Sequence, residues 1–432
     1  MSQRTEKQIQ KLFVKSLKQV AKKIKKSPSE VTKSEFIKGT EEKLTDWELR
    51  KAGGYQNLRN MFFPSPAEDL IVKYGGRAIK SHQSKLEKAY GSKLHLNKAL
   101  CMAVTESIAE QPVKIHKPLK PKASAKKKTV RTLVAKLSDT HYGCNINNEE
   151  MRGVNEYNWL AASRRTALFC KQIVEYKEVY RDETDLVLQI NGDIIAGIIH
   201  DQEWGVDVIT EQVVGAVRIL TQAVSYLAQN FKKVKVVCTP GNHGRVMHKA
   251  NKGRQTSHKW DSFETIIHES LKAVVEAHCP NVEFDIPVSG YALYKIQGHY
   301  TFQTHGDTII NVGNPGKSIS MKSINDQLNS VNVSGMVPEG EQIKVLCVGH
   351  VHVPTVQSLQ GGGTAVINGT LSGLDAFAQA IGIFSSNPTQ VLYECTKAYP
   401  VGDIRFVQVA RADKDSSLDK IIEPYKRKLK VT

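Results

Sequence analysis

Apolar residues recur every three to four positions at the start of the chain. Ile9, Phe13, Leu17, Val20 and Ile24 share one face of a helix over residues 6–26, while Lys11, Lys15, Lys18, Lys22, Lys23, Lys25 and Lys26 lie largely elsewhere. Ser27-Pro28-Ser29-Glu30 has the look of a second helix start, with proline early and an acid in the first turn. LTDWELRK and YQNLRNMFF read as two further helical pieces separated by Gly53-Gly54, and residues 76–110 continue in helical style. These pieces predict a small all-helical unit of the size used by helix-turn-helix modules, although no motif fixes a recognition helix. Packing or oligomerisation is an equally open use for it. Pro112, Pro118 and Pro121 with Lys120, Lys122, Lys126, Lys127 and Lys128 mark a linker over 111–130. The predicted division is therefore a helical domain over 1–110, the linker, and a second domain over 131–432.

From Val130 the texture changes. RTLVAKLSD, TDLVLQINGD, KVKVVCTPGN, HYTFQTHGD, IKVLCVGH and TAVINGTL read as strands, most of them ending in a polar cluster. Residues 155–180 and 206–231 have helical periodicity, so the first three strands are expected to be joined by βαβ connections in an α/β body. Ligands in such layered folds gather at strand ends, where these polar clusters fall. Beyond residue 400 only PYKRKLK stands out, as a basic C-terminal helix.

At 432 residues the chain has room for a sizeable catalytic core and an appendage. No apolar run is long enough to span a bilayer, and the start lacks a secretory signal, which points to a cytoplasmic protein that does not engage membranes. Seven cysteines without a CxxC pair argue against a disulfide framework and a zinc knuckle. The net charge of +17 is unevenly spread: residues 1–130 hold 29 Lys+Arg against 12 Asp+Glu, and residues 131–432 hold 31 of each. A basic appendage on a neutral body suits a polyanion, because lysine and arginine gain affinity for nucleic acid by displacing condensed counterions. A solubilising basic surface is the plainer explanation.

Five strand ends carry metal-ligand residue types: Asp139-Thr140-His141, Gly192-Asp193, Gly241-Asn242-His243, His305-Gly306-Asp307 and Gly349-His350-Val351-His352. Taken singly, each is an ordinary turn or a core histidine. In succession at strand ends of one domain they point to a shared centre. Carboxylate, amide and imidazole without thiolate suit two divalent ions, manganese first, with iron or zinc as alternatives. Glycine before Asp193, Asn242 and His350 lets the backbone turn tightly beside the metal. Two cations about 3.5–4 Å apart clamp the attacking and leaving oxygens of an in-line displacement and lower the pKa of a bridging water.

The series DTH, GD, GNH, H and GHVH resembles the calcineurin-like metallophosphoesterase superfamily over about residues 133–370. The resemblance implies two β-sheets packed as a sandwich and flanked by helices. It also implies that Asp139, His141 and His352 bind one metal, that Asn242, His305 and His350 bind the other, and that Asp193 bridges them. His243 is then the non-ligand histidine at the scissile phosphate. NGTLSGLDAFAQAIGIFSSNPTQVLY is similar to the tail of phage- and prophage-encoded members. In the family an Asp or Glu usually follows the histidine of the third motif. Here Gly244 and then Arg245 follow, so either another acid, Asp201 or Asp307, orients His243 or its protonation is set differently. The second motif also lacks its later acidic residue. Arg245, His248 and His258 lie on a basic stretch, 245–264, that could line a groove for a phosphate chain; a solvated loop is the alternative.

Joined to the basic N-terminal region, such a centre leads to the expectation of a metal-dependent DNA nuclease. The alternatives are a phosphatase or a small-molecule or cyclic-nucleotide phosphodiesterase, and a non-catalytic DNA-binding protein with a degenerate site. Assembly into a homo-oligomer is left open.

Overall fold

The computed structural model describes residues 6–25, 31, 36, 104, 113–117, 131–179, 184–199, 206–246, 259–309, 321–360, 362–380 and 387–426. The chain divides into two compact units, Met1–Leu94 and His95–Thr432. In the first, α1 (Glu6–Ile24) buries Ile9, Phe13, Leu17 and Val20 against Val31 and Phe36, with the Phe13 and Phe36 rings 5.1 Å apart. Ile24 is left 37% exposed, so the apolar stripe ends one turn earlier than its spacing predicts. Lys15, Lys18, Lys22, Lys23 and Lys25 are exposed, which puts the charge on the face the stripe does not use. The other helices expected before residue 111 lie outside the described residues.

The second unit runs β1 (Arg131–Leu137), α2 (Trp159–Val179), β2 (Thr184–Asn191), α3 (Ile209–Asn230), β3 (Val234–Thr239), α4 (Phe263–Glu276), β4 (Val282–Asp285), β5 (Tyr291–Ile296), β6 (His299–Thr304), α5 (Met321–Val333), β7 (Ile343–Val348), β8 (Thr355–Ser358), β9 (Thr364–Ile367), α6 (Ala376–Ala380), β10 (Thr389–Thr396) and β11 (Ile404–Gln408). It is a mixed α/β fold with two mixed sheets. One has the order β11-β10-β1-β2-β3-β4 and the other β5-β6-β7-β9-β8. Strands β1 to β4 are parallel, as are β6, β7 and β9; the remaining neighbours pair antiparallel.

Period-2 alternation explains the layers. On β1, Leu133, Ala135 and Leu137 join α2, α3 and α4 in one core, while Val134 faces Val345, Cys347 and Val366 of the other sheet in a second core. A third core packs α5 on the outer face of β6, β7 and β9. Strands covered on both faces read as near-continuous apolar runs, which is why β1, β2, β3 and β7 were plain in the sequence. Helix ends carry their own signals. Asn158 Oδ1 accepts from the Leu160 and Ala161 N–H groups at the start of α2, and the Ser262 side chain accepts from Glu264 N at the start of α4.

Within the 111–130 linker, residues 113–117 lie against the body: His116 N donates to Ser225 Oγ (3.2 Å) and its ring meets Ile421 O (2.8 Å). The expected C-terminal helix is corrected over its described residues: Pro424, Tyr425 and Lys426 form no helix. Tyr425 instead donates to Glu211 Oε1 (2.6 Å) and packs edge-on to Trp159, contacts that hold the segment extended on the body. Residues 427–432 lie outside the described residues. No helix among the described residues is long and apolar enough to cross a membrane.

Candidate metal centre

The C-terminal ends of β1, β2, β3, β6 and β7 bring the five motifs together. The β1–β2 ladder continues past both strands, with Asp139 N donating to Gly192 O and His141 N to Asp193 O, each at 3.0 Å. From the second sheet, Gly349 N donates to His305 O (2.7 Å). Asp139, His141, Asp193, His350 and His352 all have positive φ, between 44° and 69°. Aspartate and histidine tolerate this left-handed conformation better than most residues, and its concentration in one place marks a turn geometry held by its surroundings.

Side chains from distant stretches meet there. His352 Nε2 lies 3.4 Å from Asp139 Oδ1 and 3.2 Å from His141 Nε2. His305 Nε2 lies 2.9 Å from Asp193 Oδ2, and the His305 and His350 rings are 5.2 Å apart. Three groups have ligand atoms close enough to hold an ion: Asp139, His141 and His352; Asp193, His305 and His350; and His141, Asp193 and His243. The first has the residues of one expected ligand set, and the second shares His305 and His350 with the other, with Asp193 in the place expected of Asn242. Asn242 has an amide oxygen that is buried with no hydrogen-bond partner. Buried polar atoms are rarely left so, and an unpartnered amide oxygen in a motif beside carboxylates and imidazoles fits a divalent cation bound by oxygen and nitrogen.

Electrostatics agree with that fit. Burial pushes the Asp193 carboxyl up, but His305 and His243 more than offset it and leave it well below the usual range. Burial likewise raises Asp139, and His352 and His305 bring it down. Burial pulls His305 down, yet Asp193 and Asp139 push it up to about 10. His350, buried beside His305, falls to about 4. Two ionised carboxylates inside the fold therefore favour positive charge at the centre of the cluster.

Polar partners behind the ligands fix their aim. His305 Nδ1 meets Asn191 O (2.9 Å), which directs Nε2 into the cluster. Asn191 Oδ1 accepts from Thr239 Oγ1 (2.6 Å), Thr239 from Gln303, and the chain continues through Tyr294 and Gln189 to the buried Lys136 between the sheets. Ser138 Oγ donates to Asp139 Oδ2, and His350 N donates to Asp139 Oδ1 (2.9 Å). Asp193 Oδ1 accepts from His243 N (2.8 Å). Gly241 and Gly349 are set by proximity rather than by an unusual φ. A Cβ at 241 would fall on the Asp193 carboxylate, and one at 349 would come within 2.6 Å of Asp139 Oδ2.

His243 stands at the edge of the cluster, its Nε2 3.9 Å from Asp193 Oδ2 and its ring 4.6 Å from that of His141. Its Nδ1 lies 2.7 Å from the Ala196 carbonyl oxygen. Of the alternatives left open for this histidine, Asp307 is engaged elsewhere: it accepts from Arg245 Nη2 (3.1 Å) and pairs with Lys259, while the Ala196 carbonyl meets the His243 ring. Asp201, His248 and His258 lie outside the described residues. The end of the basic stretch 245–264 is the start of α4, which Ser262 caps. Sequence reasoning missed Glu264, whose carboxylate accepts from Ile194 N and Gly241 N, both at 2.7 Å. Burial and the neighbouring Asp193 push this carboxyl up to about 7. Its signal in the sequence, a glutamate two residues after a serine, is that of a helix start.

No protein-family model and no curated protein matches the chain. Solved structures are similar at low identity. A conserved uncharacterised protein from Streptococcus pneumoniae TIGR4, described as a phosphoesterase, is 9% identical with a TM-score of 0.25, over 65% of this chain and 99% of that one. Vps29 from Chaetomium thermophilum is 10% identical with a TM-score of 0.25, over 64% of this chain and 97% of that one. A 5'-nucleotidase from Candida albicans SC5314 is 10% identical with a TM-score of 0.30, over 68% of this chain and 56% of that one.

Proposed function

We propose that this protein is a metal-dependent phosphoesterase whose substrate is the phosphodiester backbone of DNA. The observation that carries the hydrolase reading is the convergence of two carboxylates, four imidazoles and an orphaned amide oxygen on adjoining strand ends. Asp139, His141 and His352 would hold one divalent ion and Asn242, His305 and His350 a second, with Asp193 shared between them. Manganese suits the donor set best, with iron and zinc next. Such a pair, when bound, would supply Lewis acidity and an activated water for in-line displacement at phosphorus.

The chain's own residues do the rest. The Ala196 carbonyl holds His243 by Nδ1–H, leaving Nε2 toward the cluster, where its protonated form gives a proton to the leaving oxygen. Arg245, steadied by Asp307, offers a guanidinium to a non-bridging phosphate oxygen. DNA as substrate rests on the charge partition, in which the whole positive excess lies in residues 1–130.

End-labelled double- and single-stranded DNA, incubated with the protein and Mn²⁺, is expected to be cut by wild type and left intact by His243→Ala and Asp193→Asn. Uncut DNA alongside turnover of a chromogenic diester removes DNA from the proposal and keeps the hydrolase. The neutral charge of residues 131–432 favours a second reading, a phosphatase or small-molecule phosphodiesterase with the basic region used for localisation. Equal rates on a small diester with and without residues 1–94, and no DNA cleavage, select it.

A further inference from the structure

Gly244 leaves the third motif without the acid that usually follows its histidine, and the structure holds a carboxylate in the volume a side chain at 244 would need. A Cβ built on Gly244 would meet Ser262 Oγ and lie 2.6 Å from Cγ and 3.1 Å from Cδ of Glu264. The φ of Gly244 lies outside the left-handed region, so space and not conformation keeps this position bare. Residue 244 is also sewn to the start of α4: its carbonyl accepts from Phe263 N (2.8 Å) and Ser262 Oγ (2.9 Å). Glu264 is wholly buried. Its two oxygens take one N–H each from the residue after Asp193 and the residue before Asn242.

We propose that Glu264 is a positioning residue that replaces the missing acid from the helix side, clamping the Asp193 and Asn242 loops to α4 so that both side chains face the same ion pair. The proposal rests on the dinuclear reading and deepens it. A carboxylate with two peptide N–H donors is a strong, two-pronged link. Here it joins loops from two neighbouring strands to one capped helix. Without it, two buried N–H groups lose their partner and the loops are free to separate.

The test is Mn²⁺ binding by titration calorimetry on the full chain, with apo melting temperature measured in parallel in chelator. Wild type is expected to bind two equivalents. Glu264→Gln keeps the shape but presents an amide N–H₂ to one of the two donors, and is expected to weaken at least one equivalent about 10–100-fold. Ser262→Gly with Glu264→Ala is expected to weaken it further. Adding Gly244→Asp to that pair puts a carboxylate back from the loop side and is expected to restore affinity to within about threefold, a rescue typical of outer-shell support.

A folded Glu264→Gln variant with lowered apo melting temperature but wild-type Mn²⁺ affinity overturns the proposal and leaves the dinuclear reading standing. A wild type that binds no metal overturns both. Amide hydrogen exchange on the unaltered apo protein gives a second reading that needs no variant. Ile194 and Gly241 N–H are expected to be protected before any metal is added, and exchange at the rate of open loops overturns the clamp.

Discussion

Asp193 meets two of the histidines of the centre with its carboxylate. One oxygen receives the His243 N–H while the other lies 2.9 Å from His305 Nε2 and 3.9 Å from His243 Nε2. Asp193→Asn keeps the volume and removes the charge that holds His305 high, so it is expected to lower bound Mn²⁺ from two equivalents toward one, read by equilibrium dialysis and elemental analysis. His243→Ala touches the Asp193 set only at its edge. It is expected to keep both equivalents and slow hydrolysis by about 10²–10⁴-fold, the range for a lost proton donor. Retained metal with unchanged rate would remove His243 from the chemistry. At this scale the candidate ligands were legible because each follows a strand that announces itself by an apolar run. The residues that aim them were not: Glu264 acts on loops 23 and 70 positions away. Asp307 is two residues from His305, yet its charge goes to Arg245 and Lys259, a pairing that only the fold decides.

Helix α2 carries an arginine that ties the body together from behind the centre. Arg165 is 1% exposed and donates to both oxygens of Asp413, to Leu371 O, Ser372 O, Glu156 O and Asn155 Oδ1. Leu371 N in turn donates to Asp139 O (3.0 Å). A lysine cannot reproduce the planar fork. Arg165→Lys is therefore expected to destabilise the fold by about 2–4 kcal/mol, seen as a lower urea midpoint with an unchanged slope. Helix α4 carries a titrating group of opposite character: His268 is buried, its Nε2 has no hydrogen-bond partner, and burial pushes its pKa down to about 3. The unfolded chain takes this proton near pH 6.5, well before the fold does. Stability is thus intact above 6.5 and lost as pH falls toward 3, by about 1.4 kcal/mol per unit for this one group. His268→Leu is expected to flatten the acid side of the melting-temperature profile relative to wild type, and parallel profiles would refute it. Of the strands buried on both faces, β1, β2, β3 and β7 were readable and β10 was missed, as were the edge strands. On β8 and β11 most side chains are at least partly exposed, which leaves no apolar run to see. Helix α4 was hidden because its first turn overlaps a basic stretch whose lysines and arginine look like a surface loop.

Under the proposed function, charge at the scale of the whole molecule would set which phosphoester the centre meets. Residues 1–94 carry 21 Lys+Arg and 10 Asp+Glu, so removing them takes 11 of the 17 net positive charges. A cut at 130 would be a poor experiment, because residues 113–117 lie along α3 and the C-terminal segment and their loss would expose apolar surface of the body. A cut after Leu94 follows the division between the two units and spares that strap. Each phosphate neutralised on a duplex steepens the fall of log K with log salt by about 0.9. If the N-terminal unit supplies the contacts, removing it lowers DNA affinity at low salt and flattens the salt slope by several units. The rate on a small chromogenic diester then stays the same, since no residue of the candidate centre lies before Asp139. A salt slope unchanged by the truncation would place the DNA-binding charge in residues 95–130 or on the body. The lysines at 114, 117, 120, 122 and 126–128 would then be the next to neutralise.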